Sequence, residues 1–180
     1  DDDFMVRQKA QEIFDQLFPE FPDELSREVI DGRVDRVEDA ERILKEAKLA
    51  AGTVSLFGGG KLVWLNEVNF LNMGKTGGAQ GCKNALEEAK SFLENSGDSK
   101  VIISACPVHR SHSFIKWMQK AGVFTDVAKN EKQDFAFRRL VEETADELKV
   151  SIEPGAVECL AAKIGSHPRL GVEEIKKLSC

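Results

Sequence analysis

The stretch Ser55-Leu56-Phe57-Gly58-Gly59-Gly60-Lys61-Leu62-Val63-Trp64-Leu65 joins two patterns that rarely sit side by side. Beyond the glycines begins a continuous apolar run, Leu62 to Leu65, too short for a helix, so Lys61 to Leu65 is predicted as a strand buried on both faces, as in the middle of a parallel sheet. Just before it, three consecutive glycines make a bend, and the apolar pair Leu56-Phe57 sits at that bend with little side-chain cover of its own. Large apolar side chains at a turn are either folded back into the core, their commoner fate, or offered to a partner. The functional question for this chain is which of the two happens here.

Working outward, Val37, Ala40, Ile43, Leu44, Ala47 and Ala51 fall on one stripe with Glu and Lys around it, which predicts an amphipathic helix capped by Gly52. Ahead of that helix, Glu28-Val29-Ile30 is a short strand closed by Asp31-Gly32. Earlier still, Phe4, Ile13, Phe14, Leu17 and Phe18 recur at helical spacing, with Asp3 placed to cap the helix and Pro19 and Pro22 to end it. An α/β domain ordinarily begins with a strand, so one is expected to be missing before Phe4. Downstream, Asn72 to Gly81 is Gly-rich and without periodicity, a mobile loop. Leu86, Ala89, Phe92 and Leu93 then give a helix stopped near Ser96-Gly97.

Val101-Ile102-Ile103 has the look of a central strand, broken at Cys106-Pro107. Phe114, Ile115, Trp117 and Met118 lie on the next helix, which ends at Gly122 and leads to a short strand from Val123 to Val127. This alternation predicts a three-layer α/β domain with a mostly parallel sheet. After Ala128 the pattern becomes helical only: Phe135–Val150, Pro154–Ile164 and Pro168–Leu178. The chain therefore divides into an α/β domain over 1–128 and a helical domain over 129–180. The second is below the usual size of an independent domain and must lean on the first or on a neighbour.

With 180 residues the chain can bury a core without disulfides. Its formal net charge of -6 argues against a surface given over to phosphate contacts. Cys82, Cys106, Cys159 and Cys180 form no CxxC pair and have no His at metal-ligand spacing, so they are expected as reduced intracellular thiols. No run approaches the roughly 18 apolar residues of a membrane span. The start, Asp1-Asp2-Asp3, is the reverse of a signal peptide's basic start, and a cytoplasmic location is expected.

Several motifs compete with Leu56-Phe57. Gly74-Lys75-Thr76 resembles the end of a phosphate loop, but that pattern needs a glycine where Asn69 stands and should join a first strand to a helix. Gly58-Gly59-Gly60 is not GxGxxG and precedes its strand. His109-Arg110-Ser111-His112 follows a central strand, where α/β sites tend to lie, yet neighbours in sequence do not face one another and no acidic partner is evident. A capping turn, with Ser111 or Ser113 at the N-cap, is the simpler account. Lys176-Lys177 and Arg138-Arg139 are expected on solvated helix faces, and Trp64 and Trp117 in the core. Leu56-Phe57 survives this comparison, since a pair of exposed apolar anchors is how a short motif enters a partner's groove.

In order and spacing, Asp1-Asp2-Asp3-Phe4, Val29-Ile30-Asp31-Gly32, Ser55-Leu56-Phe57-Gly58-Gly59 running into Lys61-Leu62-Val63-Trp64-Leu65, Val101-Ile102-Ile103-Ser104-Ala105 and Phe114-Ile115-Lys116-Trp117 resemble the delta subunit of the bacterial DNA polymerase III clamp loader. The resemblance runs over nearly the whole chain. It implies an AAA+ type α/β domain without a working nucleotide site, followed by a helical lid closed by Glu173-Glu174-Ile175-Lys176-Lys177-Leu178. A helical collar domain normally follows, so the chain is expected to be a fragment. The resemblance further implies that Leu56 and Phe57 insert into the hydrophobic cleft of the sliding clamp and let one clamp interface open. Implied partners are the clamp, the other clamp-loader subunits and, through the assembled complex, primer-template DNA, with no cofactor, no metal, no membrane and no ATP hydrolysis. Neighbouring subunits carry an Arg in a Ser-Arg-Cys motif. The nearest match here, Ser104-Ala105-Cys106, lacks it, and no such role is implied. The rival readings are a nucleotide hydrolase built on Gly74-Lys75-Thr76 with His109 or Arg110, and a DNA-binding helical module.

Overall fold

The computed structural model of the chain describes residues 2–53, 59–127, 133–153 and 155–179. They form two compact units, one of residues 6–125 and one of residues 126–180 with 1–5. In chain order the first elements are α1 (Asp2–Leu17), β1 (Arg27–Asp31), α2 (Val37–Gly52), β2 (Leu62–Val68), α3 (Gln80–Glu94), β3 (Lys100–Ala105) and α4 (Ser113–Ala121). The later elements are α5 (Gln133–Glu147), α6 (Ala156–Ile164) and α7 (Pro168–Leu178).

The sheet has the order β1-β2-β3, with both pairings parallel and Trp64 of β2 opposite Val29 and Ile102. Strand alternation sorts β2 between two cores. Val63, Leu65 and Val68 face α2, α3 and α4 together with Ile43, Leu44, Leu86 and Phe114. Leu62 and Trp64 face the opposite way, onto Ala10, Phe14 and Phe21. Because parallel crossovers share one hand, a sheet built steadily in one direction puts both connecting helices on one face. That leaves α1 for the other face, where the Phe14 and Trp64 rings lie 5.5 Å apart. The three-layer α/β arrangement with a parallel sheet expected from the sequence is what folds. Arg27 shields the edge of the α1 layer by lying 3.7 Å over the Phe18 ring.

The strand expected at Val123–Val127 does not form. Val123 is 97% exposed and Val123 to Asp126 run without a ladder partner. A β-branched and an aromatic residue in sequence express a preference, which becomes a strand only where an edge is there to pair with. Asp3, expected as a cap, lies inside the first turn of α1, where its negative charge suits the helix dipole.

The Gly-rich stretch expected to be a mobile loop is a hydrogen-bonded turn. Gly78 N–H donates to the Gly74 carbonyl at 2.7 Å, and Thr76 Oγ1 reaches the Asp35 carbonyl at 3.2 Å. Gly77 is buried with its Cα so close to the Phe70 and Asn72 carbonyls that a Cβ would sit 2.3 and 2.4 Å from them. What looked like flexibility in the sequence is close backbone packing.

In the second unit, Phe137, Val141 and Ala145 of α5 pack with Val157 of α6 and Ile175 of α7. A Cβ on Gly171 would lie 2.6 Å from Phe137 Cε2 and 2.7 Å from Val141 Cγ2, so only glycine lets α7 approach α5 this closely. Helix α5 ends in a Schellman turn. Val150 N–H donates back to the Ala145 carbonyl at 2.8 Å and Lys149 N–H to the Asp146 carbonyl at 3.1 Å, with Lys149 at φ +57° where glycine is usual. The turn brings Val150 onto the same small core. Pro154, expected at the start of the next helix, lies outside the described residues, and α6 starts at Ala156 behind Gly155 at φ +85°. The helix expected over Pro168–Leu178 forms over those residues.

Candidate functional site

Leu56 and Phe57 lie within residues 54–58, outside the described residues. The chain on either side of them is described, and it is built to hold two points close together. On the α2 side, Thr53 N–H donates to the Ala50 carbonyl at 3.3 Å and Thr53 Oγ1 to the Leu49 carbonyl at 2.6 Å, closing the helix end. On the β2 side, Gly59 has φ +86°. Gly60 lies against the backbone of the neighbouring strand entry, where a Cβ would stand 2.2 Å from the Asp98 carbonyl carbon. One buried hydroxyl links the two sides. Ser99 Oγ donates to the Ala51 carbonyl at 2.7 Å and accepts from Lys61 N–H at 3.0 Å.

A serine hydroxyl can donate and accept at once, and here both capacities are used. The chain therefore leaves the core at Ala51 and re-enters it at Lys61 from two fixed positions. Ser99→Ala is expected to leave a buried carbonyl and a part-buried N–H without this partner, costing about 1–3 kcal/mol. Urea unfolding of the variant checks this, and an unchanged midpoint would contradict it. Ser99 carried no signal in the sequence. It stands beside Lys61 because of the β2–β3 register, Leu62 opposite Lys100, which local pattern does not specify.

The carboxyl ends of the strands, where open α/β sheets commonly bind ligands, are tied up internally. Ser104 Oγ accepts from Trp64 Nε1 at 3.0 Å and from Glu67 N–H at 3.2 Å and lies 3.0 Å from Asn66 Oδ1, to which it donates. The register shifts between Leu65 and Val68, and Glu67 takes φ +54°, an uncommon conformation for a residue with a side chain. Its two carboxylate oxygens meet Arg7 Nη1 at 3.1 Å and Arg33 Nη2 at 2.8 Å.

The competing motifs make hydrogen bonds within the fold. Gly74 N–H is taken by Asn72 Oδ1 at 2.7 Å, and Gly78 N–H and the Thr76 hydroxyl by carbonyls. The two glycine N–H groups turn into their own loop and the Thr76 hydroxyl is spent on Asp35, so these donors do not converge on one point. Contrary to the expectation that residues of this motif do not face one another, His109 Nδ1 and Ser111 Oγ are 2.7 Å apart, while His112 serves as the cap of α4, accepting from Phe114 N–H at 3.2 Å. The cap is thus His112, where the sequence suggested Ser111 or Ser113; an imidazole with a lone pair on Nδ1 does the work usually left to a hydroxyl.

Arg138 pairs with Glu158 and Arg139 with Glu143, and Lys177 pairs with Glu174, so these cations are not an open basic patch. The hydrogen bond from Arg138 holds the Glu158 carboxyl below its ordinary range. Trp64 is buried as expected. Trp117 is only half-buried, its indole N–H donating to Glu94 at 3.0 Å. The Cys82 thiol is pushed up to about 11 by burial and by nearby Glu41, and is a core group without thiolate character at neutral pH. Among the described residues no cluster of His, Cys, Asp or Glu could hold a metal ion, and no helix is long and apolar enough to cross a membrane.

The family model described as DNA polymerase III, delta subunit, matches residues 1–144. The chain belongs to the DNA polymerase III delta subunit family. Comparisons with curated proteins and with solved structures find no match. The delta-family match takes in the sheet, the helices α1 to α4 and most of α5, and spans the 54–58 segment with both sides of its base. In this delta-family chain Ser104-Ala105-Cys106 offers no arginine, and the Ser104 hydroxyl is fully occupied by Trp64, Glu67 and Asn66.

Proposed function

We propose that this chain is a non-catalytic subunit of the replicative clamp loader, and that it binds the sliding clamp through Leu56 and Phe57 and helps to open it for loading onto DNA. The family match over residues 1–144 carries this reading. It is supported by the fixed exit and re-entry points at Ala51 and Lys61, which would present a short segment without ordering costs in its flanks. The α/β part acts as the AAA+ type domain over 1–128 and the helical part as the lid over 129–180. ATP is used by other subunits, and primer-template DNA is met through the assembled complex in the cytoplasm.

The inward-turned donors around Gly74-Lys75-Thr76 favour a binding module over a hydrolase. Co-purification of the sliding clamp with the chain, beside calorimetry with Mg-ATP, tests the reading. Clamp retention with no tight Mg-dependent ATP binding is expected. Tight ATP binding without clamp retention would overturn it in favour of a hydrolase.

A further inference from the structure

His112 is an unusual helix cap. It is 3% exposed, and its Nδ1 accepts the Phe114 N–H at 3.2 Å, so this nitrogen must carry a lone pair. The proton of the neutral ring then resides on Nε2. That atom is fully buried and completes no hydrogen bond, its backbone neighbour being Gly77 of the 72–79 turn. The same residue holds α4 in two further ways. Its N–H donates to the His109 carbonyl at 2.8 Å, and its carbonyl accepts from Lys116 N–H at 3.1 Å. Helix α4 in turn delivers Phe114 and Ile115 to the main core. A single imidazole therefore lies between the start of α4 and a turn whose Gly77 has no room for a side chain.

The charged groups that bear on the ring are Lys83 and Lys90 of α3 and His109 of its own loop. All are cationic when charged, and among the described residues no carboxylate is one of the groups that act on the ring. Burial, the largest influence, also favours the neutral ring, and the two lysines and His109 act in the same direction against the partial contact with Gly77.

We propose that His112 is a proton-operated latch: neutral, it caps α4 against the 72–79 turn; doubly protonated, its Nδ1 becomes a donor facing the Phe114 N–H donor, and the cap opens. Because the folded state disfavours the second proton, the unfolded chain binds it more readily. Stability from the latch is complete above the ordinary imidazole range, near pH 6.5, and falls as pH drops below it towards the lowered folded value. In that window one extra proton on the unfolded chain raises the unfolding constant by up to about tenfold per pH unit.

The test compares urea unfolding of the 180-residue chain and its His112→Asn variant from pH 7.5 to 5. Asparagine caps helices well and does not titrate in this range. The parent is expected to lose stability more steeply than the variant, by up to about tenfold in the unfolding constant per pH unit. Parallel curves would overturn the proposal. Nitrogen-detected NMR of the imidazoles in the parent decides the matter even if His112→Asn fails to fold. A lone pair on His112 Nδ1 at pH 7.5, with the Phe114 amide shifting as the ring titrates, is expected. A proton on Nδ1, or a Phe114 amide indifferent to pH, would overturn it.

Discussion

Trp64→Ala is expected to destabilise the α/β unit by about 3–5 kcal/mol, a large part of the roughly 5–15 kcal/mol that ordinarily separates folded from unfolded. Trp64 stands on the middle strand, opposite Val29 on one side and Ile102 on the other. Its ring is the main sheet contribution to the α1 layer, 5.5 Å from Phe14 and in a core with Ala10, Leu17 and Phe21. Truncation leaves a cavity that α1 can fill only by shifting as a body. It also removes the N–H that Ser104 accepts at 3.0 Å. Trp64→Phe keeps most of the apolar volume and loses the N–H, and about 1–2 kcal/mol is expected, since Ser104 retains Asn66 and Glu67. Far-UV circular dichroism in urea measures both. A Trp64→Ala midpoint no lower than that of Leu49→Ala, at a residue 71% exposed, would refute this account of the α1 layer.

The second large effect concerns binding. Leu56→Ala with Phe57→Ala is expected to leave the unfolding midpoint of the chain unchanged and to abolish detectable association with the sliding clamp. Burying a leucine or phenylalanine side chain contributes about 1.5–3 kcal/mol each. Losing both anchors corresponds to roughly a hundredfold to ten-thousandfold in affinity, at about 1.4 kcal/mol per tenfold. Single variants should fall between parent and double variant. If the double variant unfolded instead, the pair would belong to the core, and the anchor role assigned to it would be wrong. Comparison with Ser99→Ala distinguishes anchors from base. That variant should lose stability, whereas the double variant should lose binding alone.

Much of this arrangement was legible in the sequence because each strand is short and its apolar run is nearly continuous. Leu62 to Leu65 and Val101 to Ile103 predicted a sheet covered on both faces, and the alternation of Val63 and Leu65 against Leu62 and Trp64 bears that out. Helix α2 was equally plain, because one stripe holds all its buried residues. Val123 to Val127 misled, because preference without a pairing partner gives no strand. Asn72 to Gly81 misled in the opposite sense, since glycines that permit close backbone packing look the same in a sequence as glycines that permit motion. The roles of Ser99 and His112 depend on contacts between segments 38 residues apart and on a tautomer, and neither leaves a local trace. Leu56 and Phe57 were singled out from a bend between a helix and a strand. Both flanking elements form, α2 ending at Gly52 and β2 beginning at Leu62.

The most direct measurement is an isothermal titration of purified sliding clamp with this chain, run in parallel with the Leu56→Ala, Phe57→Ala variant. Saturable binding by the parent and no measurable heat with the folded variant is the predicted result. Equal binding by both, or none by the parent, would contradict the assignment of clamp binding to this pair.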